Sequence, residues 1–249
     1  MVRTVLITGA SRGIGLRTAR FYHEKGWNVV ATMRDVDDWE MEWSNCLVTC
    51  LDVTDSRSVE NSFRQAVDEF GGVDVVVNNA GYGLYGCFDR YSLDQMKKQF
   101  GVNVFGVFDV TRVALPYLLE SKGCFVNVSS VAGVSGMPDF SVYCSSKFAV
   151  EGFSESLHCE FYKRGVGFKV VEPGPVKTDF FSDKSMDYAK GSEWKGFPEA
   201  LMVSPRKVAK TIYKASVGRR RKFRYPVGFV MSFAVFLSKF GIYRFFLRK

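Results

Sequence analysis

The chain reads as a single α/β domain, a doubly wound parallel sheet with helices on both faces. Three observations lead there. Short apolar runs recur as far as Glu172, each followed by a turn or by a stretch with helical spacing. The first run, residues 5–8, passes through Gly9, Gly13 and Gly15 directly into such a stretch. No repeat or low-complexity linker divides the 249 residues, a length that suits one domain with a sizeable core.

Taken in order, residues 5–8 are the first strand, and Ile14, Leu16, Ala19, Phe21 and Tyr22 mark the helix behind it. Strands follow at 28–32, 46–51 and 73–78, with a helical stretch at 56–70. Ser92 and Gln95 have capping-box spacing and open a long helix running towards Pro116. A fifth strand at 123–129, a helix at 142–163 and a sixth strand at 166–172 complete the series. Repeated β-α units of this length imply parallel strands buried under helices. Beyond Pro173-Gly174-Pro175 the pattern weakens until Ser204-Pro205, a helix start with proline in the first turn. The loop 175–204 leaves the carboxyl end of a strand, where open α/β sheets bind ligands, so a substrate lid is expected there.

Hydrophobic residues make up 47% of the chain and charged residues 24%, an ordinary globular balance. Six cysteines without a C-x-x-C pair, and only two histidines, argue against a zinc site or a disulfide framework. No metal is expected, and a reducing, cytoplasmic setting is. A first strand starting at Val2 leaves no room for a cleaved signal peptide. The net charge of +8 is unevenly spread: from Leu201 onward there are 13 Lys and Arg and no acid, so residues 1–200 carry a net −5.

The glycine turn is the first chemical signal. A strand that turns through glycines into a helix gathers backbone N–H groups and a positive helix end at one point, which suits the pyrophosphate of a dinucleotide. The spacing is T-G-x-x-x-G-x-G rather than G-x-G-x-x-G, and a glycine turn with no ligand is the plain alternative. Tyr143 and Lys147 stand four apart at a helix start and so share a face. An ammonium beside a phenol lowers the phenol's pKa and makes it a usable proton donor and acceptor. Ser130, at the end of the preceding strand, is placed to hold a substrate oxygen. On its own a Tyr–Lys pair is more often a solvated helix face.

Together, TGASRGIG at 8–15, NNAG at 78–81, Asn103 in VNVFG, Ser129-Ser130, Tyr143-x-x-x-Lys147 and Pro173-Gly174 resemble the short-chain dehydrogenase/reductase family in order and spacing. The resemblance covers roughly residues 2–217, and its flavour is that of the hydroxysteroid and retinol dehydrogenases. It implies a Rossmann fold and a set of roles. Tyr143 matches the acid/base, and Lys147 the residue that depresses its pKa and holds the nicotinamide ribose. Ser130 matches the catalytic serine, with Ser129 structural, and Asn103 the asparagine that holds a water in the proton relay. Gly9, Ser11, Arg12, Gly13, Ile14 and Gly15 match the pyrophosphate turn. Asp52 and Val53 match the adenine contact, although Asp52 equally reads as a helix-start cap. Asn79, Ala80 and Gly81 match the segment behind the adenosine ribose, and Pro173, Gly174, Val176 and Thr178 the carboxamide side. Met33 stands where NAD-preferring relatives carry an acid, while Arg12 and Arg34 can clamp a phosphate. NADP(H) is therefore expected, with Thr32 as a further hydroxyl donor and Asp35 as an awkward neighbour.

The resulting expectation is an NADP(H)-dependent oxidoreductase that moves a hydride between nicotinamide and the carbinol or carbonyl carbon of a lipophilic substrate. Leu84, Tyr85, Met137, Phe140, Phe180 and Phe181 are its candidate pocket wall. A sugar-nucleotide epimerase and a non-catalytic dinucleotide-binding sensor or scaffold are the alternatives. Residues 1–218 are assigned to the cofactor and catalytic domain. Residues 219–249 form a basic, aromatic segment in which 225–247 has helical spacing without a polar face, read as a lid or as a membrane-associating helix. An anionic membrane surface on the cytosolic side and a homodimer through the helices near 93–116 and 142–163 are the expected partners. Nucleic acid is not expected, despite the basic cluster at 219–224.

Overall fold

The computed structural model describes residues 2–181, 186–193, 196–218 and 221–228. Its main sheet has seven parallel strands in the order β3-β2-β1-β4-β6-β7-β9. These are β1 (Thr4–Thr8), β2 (Asn28–Met33), β3 (Cys46–Cys50), β4 (Val75–Asn78), β6 (Cys124–Val128), β7 (Gly167–Pro173) and β9 (Arg224–Val227). A second, two-stranded sheet pairs β5 (Gly83–Tyr85) with β8 (Met186–Tyr188). The helices are α1 (Gly13–Glu24), α2 (Ser56–Phe70), α3 (Leu93–Phe100), α4 (Gly106–Ser121), α5 (Ser141–Phe161) and α6 (Pro205–Val217). This is the single-domain, doubly wound Rossmann fold that the sequence implies. The order of connection reverses between β1 and β4, which opens a crevice at the carboxyl ends of those strands.

The period of two along each strand builds the layers. Leu6, Val30, Val76, Phe125 and Phe168 face one way and pack with Phe63 of α2, Val110 and Leu118 of α4, and Phe161 of α5. Val5, Ile7, Val29, Ala31, Val75 and Val77 face the other way, onto Ala19 and Tyr22 of α1 and Val208 and Ile212 of α6. All but Phe161 are fully or almost fully buried, and each large apolar side chain so buried contributes about 1.5–3 kcal/mol. Asp55 caps α2, Ser204 caps α6, and Ser92 with Gln95 forms the expected capping box on α3.

Four features depart from the sequence reading. The long helix is not regular: a π-helical turn, Gly101–Phe105, separates α3 from α4. Nor does it stop near Pro116, since α4 continues to Ser121. The carbonyl that loses its partner there belongs to Arg112, on the exposed side. The run Leu93–Ser121 is long and apolar enough to cross a membrane, but Val110, Ala114 and Leu118 bury it against the sheet, which makes it a core helix. The small sheet β5/β8 joins three-residue strands about a hundred positions apart and leaves no periodic trace. Finally, Arg224–Val227, which the sequence reading placed in the basic segment and its helical stretch, is an edge strand beside β7. Pro226 is tolerated at such an edge because no further strand among the described residues needs its missing N–H. The remainder of that segment, 229–249, lies outside the described residues.

Candidate active site

The crevice between β1 and β4 opens into one cavity of about 920 Å³, lined along its length by the ends of the parallel strands. At its floor β1 ends at Thr8 and turns through Gly9 (φ +66°) and Gly13 (φ +56°), conformations that side chains rarely adopt. Helix α1 begins at Gly13, so its free N–H groups and positive end face the cavity beside Gly9, Ser11, Arg12 and Ile14. A Cβ added to Gly13 would sit 3.6 Å from Thr178, filling the gap between the turn and the opposite wall. That gap is the cradle a pyrophosphate needs, so the residues present fit a dinucleotide.

Gly15 does not reach the cavity. Its role is close packing: a Cβ there would lie 2.0 Å from the Gly9 carbonyl oxygen and 2.7 Å from Asn79 Nδ2. Asn79 lines the cavity, yet its amide is committed to bracing the turn, donating to the Thr8 and Gly9 carbonyls at 3.0 Å each. Thr8 Oγ1 in turn accepts the N–H groups of Asn79 and Ala80. Ala80, Gly81, Pro173, Gly174, Val176 and Thr178 all line the cavity as expected.

At the far end stand Arg12, Met33, Arg34, Asp52 and Val53. Thr32 is not part of this group: it is fully buried, and its hydroxyl donates to the Ile7 carbonyl. Asp35 lines this end as well, and its carboxylate accepts the Asp37 N–H and caps the short turn Val36–Asp38. Asp52 Oδ1 accepts from the Thr54 N–H and hydroxyl, shaping the loop before α2, whose own cap is Asp55. Asp38 also lines this end, an acid that the sequence reading missed.

The reactive end gathers Ser130, Tyr143 and Lys147 on one wall. Tyr143 is buried, and its hydroxyl shares a hydrogen bond with Ser130. Burial pushes the phenol's pKa upward, and of its neighbours it is Ser130 that pulls it down. Burial, rather than the expected lowering by Lys147, sets this pKa, and the proton is held on the tyrosine. Lys147 Nζ lies 5.8 Å from the Tyr143 ring centre and donates to the Val128 carbonyl at 3.0 Å. Desolvation pulls the ammonium down to about 8, with Glu151 opposing the change. Asn103, carried inward by the π turn, clamps the Tyr82 backbone from both sides: Oδ1 accepts its N–H at 3.1 Å and Nδ2 donates to its carbonyl at 2.9 Å. Nδ2 also donates to Ser146 Oγ. With its side chain so committed, Asn103 braces the Tyr82 segment beside the site. Gln99 adds a second donor to the Tyr82 carbonyl.

Above the tyrosine, Met137, Phe140, Phe180 and Met186 wall an apolar chamber, with the Tyr85 ring behind Phe140, tilted against it at 5.0 Å. The lid carrying Phe180 and Met186 is fastened by the β5/β8 pairing and by Gln95 Nε2 donating to the Tyr188 carbonyl at 3.0 Å. Leu84 is not a wall residue; it is buried with Tyr91, Val142 and Ala189 behind the chamber. The side chain of Phe181 lies outside the described residues.

A family model described as short chain dehydrogenase matches residues 3–189. The chain belongs to the short-chain dehydrogenase/reductase family. It is 38% identical over 224 residues to an uncharacterized oxidoreductase of Schizosaccharomyces pombe, covering 84% of this chain and 76% of that one. It is 32% identical over 238 residues to a 3-ketodihydrosphingosine reductase of Bacteroides thetaiotaomicron, covering 90% and 87%. The solved structure of ElxO with NADP bound superposes with a TM-score of 0.81 at 28% identity, covering 91% of this chain and 97% of that one. Another solved member of the family, from Burkholderia phymatum, carries NAD. As a member of the short-chain dehydrogenase/reductase family the chain is an oxidoreductase acting on CH–OH groups.

In this dehydrogenase/reductase several wall residues had no legible signal. Tyr82, Lys98 and Asp187 line the cavity between α3 and the lid. Burial and the nearby Asp187 push the Tyr82 hydroxyl up to about 12. Only the capping box at Gln95 hinted that α3 begins where a lid strand docks.

Proposed function

We propose that the protein is an NADP(H)-preferring reductase and dehydrogenase of a lipophilic ketone, aldehyde or alcohol. The observation that carries this reading is the buried Tyr143 hydroxyl, bonded to Ser130 and facing a chamber of aromatic and sulfur-bearing side chains. Burial keeps the phenol protonated at neutral pH, so it stands ready to give its proton to a carbonyl oxygen held against Ser130. Lys147, still largely charged at neutral pH, steadies the phenolate that this transfer leaves. In the alcohol direction the same oxygen receives the proton. When bound, the dinucleotide supplies the hydride acceptor or donor. Gly9, Gly13 and Ile14 are the residues that would hold its pyrophosphate, and Lys147 its nicotinamide ribose.

The NADP(H) preference is supported by Arg12 and Arg34 at the far end, Met33 in place of an acid, and the engagement of Asp35 in its own turn. The lipophilic substrate is supported by the chamber walls and by the likeness to a 3-ketodihydrosphingosine reductase. The test is a series of ketones of increasing chain length assayed with NADPH. We expect kcat/KM to rise with apolar length; a flat series, or turnover confined to polar sugars, overturns the substrate reading.

A further inference from the structure

Behind the Tyr143–Lys147 pair, away from the cavity, lies a cluster of charges that the reaction above does not use. Arg224 of β9 donates from Nη1 to Glu151 Oε2 and to Glu172 Oε1, both at 2.6 Å, and from Nη2 to Glu155 at 3.3 Å. The Glu151 and Glu172 side chains are only 5% and 0% exposed, while Glu155 is 62% exposed. Glu172 lies on β7 just before its last residue, Pro173, and Glu151 lies one turn beyond Lys147 on α5. Glu151 is closely packed: a Cβ on Gly133 would lie 3.0 Å from Glu151 Cγ, 3.1 Å from the Lys147 carbonyl oxygen and 2.5 Å from Ser129 Oγ. One guanidinium thus faces two buried carboxylates, and the buried Lys147 ammonium, which the Glu151 charge favours, belongs to the preceding turn of α5.

We propose that Glu151, with Arg224 and Glu172 behind it, is a positioning residue that keeps the catalytic Lys147 charged, so that the site's working pH range is set from the edge of the sheet. The proposal rests on reading Tyr143 and Lys147 as the proton-handling pair. The groups around Lys147 are Tyr143 and Glu151 on α5, the Val128 carbonyl on β6 and the Asn103 amide of the π turn, and Glu151 alone among them is an anion. Around Glu151 stand Lys147 and Glu155 on α5, Ser129 after β6, Glu172 on β7 and Arg224 on β9. Burial and the neighbouring Glu172 push Glu151 up to about 7, against Ser129 and Arg224. Its charge is therefore poised near neutrality. Where Glu151 is protonated, Lys147 is left with burial alone and gives up its proton more readily.

The two glutamates act on Lys147 with opposite signs. Glu151→Gln removes the anion that supports it. Glu172→Gln removes the like charge that disfavours ionisation of Glu151, and so strengthens that support. The test reads the Lys147 ammonium directly, from its 13Cε shift across pH in the full-length chain labelled with [13C]lysine, the signal being assigned by its absence in Lys147→Arg. In Glu151→Gln the midpoint is expected to fall by about one pH unit, a tenfold smaller charged fraction above it. In Glu172→Gln it is expected to rise, and in Glu151→Asp it returns towards the wild type. The alkaline limb of the pH–rate profile should move the same way in each variant. Unchanged midpoints, or shifts of one sign in both glutamine variants, overturn the proposal. If Glu151→Gln fails to fold, as melting curves will show, Glu172→Gln decides alone: a rise supports the proposal and no change ends it. Midpoints that split as expected in a protein that turns over no carbonyl compound would leave the electrostatic link standing and remove the catalytic reading of the pair.

Discussion

Replacing Lys147 by methionine should abolish turnover and yet stabilise the fold at neutral pH. The ammonium is buried, and its pKa falls from 10.5 to about 8 on folding. A depression of that size corresponds to about 3 kcal/mol of destabilisation relative to an uncharged side chain. Against this stands the hydrogen bond from Nζ to the Val128 carbonyl. A buried carbonyl left without a partner costs about 1–3 kcal/mol. The balance favours methionine by about 1 kcal/mol, which for a chain of this size raises Tm by roughly 2–4 °C. The sign depends on pH. Below pH 8 the lysine is charged in both states and the folded protein bears the full cost. Between 8 and 10.5 the unfolded chain binds the extra proton, so wild-type stability rises with pH and the cost fades. Above that window only the lost hydrogen bond remains, and the variant becomes the less stable of the two. Denaturant melts of both proteins from pH 7 to pH 10.5 measure this crossover. A Lys147→Met protein that is less stable at pH 7, with a difference that does not change with pH, would refute the reasoning.

The other expectations concern the ends of the cavity and the surface. NADPH should bind more tightly than NADH by roughly tenfold to a hundredfold, and Arg34→Asp should shrink or invert the ratio in fluorescence titrations; equal wild-type affinities would count against the phosphate clamp. The basic, aromatic stretch beyond Gly228 should carry the full chain to anionic but not neutral liposomes in flotation. The comparison chain must end at Gly228, because β9 belongs to the sheet, and a full chain that stays soluble on anionic vesicles leaves the membrane reading without support. Phe105 and Phe148, 63% and 45% exposed beside the close Phe108–Phe153 pair, should lie in a dimer contact. Sedimentation should then give a dimer for the wild type and a monomer for Phe105→Asp combined with Phe148→Asp; a wild-type monomer would dismiss the contact.

Most of the fold was legible because each strand and helix carried its own period. Leu6 and Ile7 point to opposite faces, and their neighbours in the sheet repeat the pattern. The glycine turn and the Tyr143–Lys147 spacing were legible for the same reason, since both are local geometry. What the sequence hid was set by distance or by competition. Thr32 looked like a donor to a ligand, but a central strand at that depth gave its hydroxyl to the Ile7 carbonyl. The spacing around Asn103 did not show that the π turn aims its amide at the Tyr82 backbone. The rise in the Tyr143 pKa came from burial, which a motif does not encode. Arg224 was counted in a basic run, and only its pairing with β7 revealed it as the partner of two buried glutamates.

The central claim is that the Tyr143 hydroxyl moves the proton in an oxidoreductase reaction, and Tyr143→Phe tests it most directly. The substitution removes one oxygen and keeps the ring that packs near Phe140 and Phe180. NADPH oxidation should be followed with the lipophilic ketone that the wild type turns over best, alongside NADPH binding by fluorescence. Turnover should be lower by roughly 10²–10⁴-fold or more, with binding close to that of the wild type. Turnover within a few-fold of the wild type would contradict it.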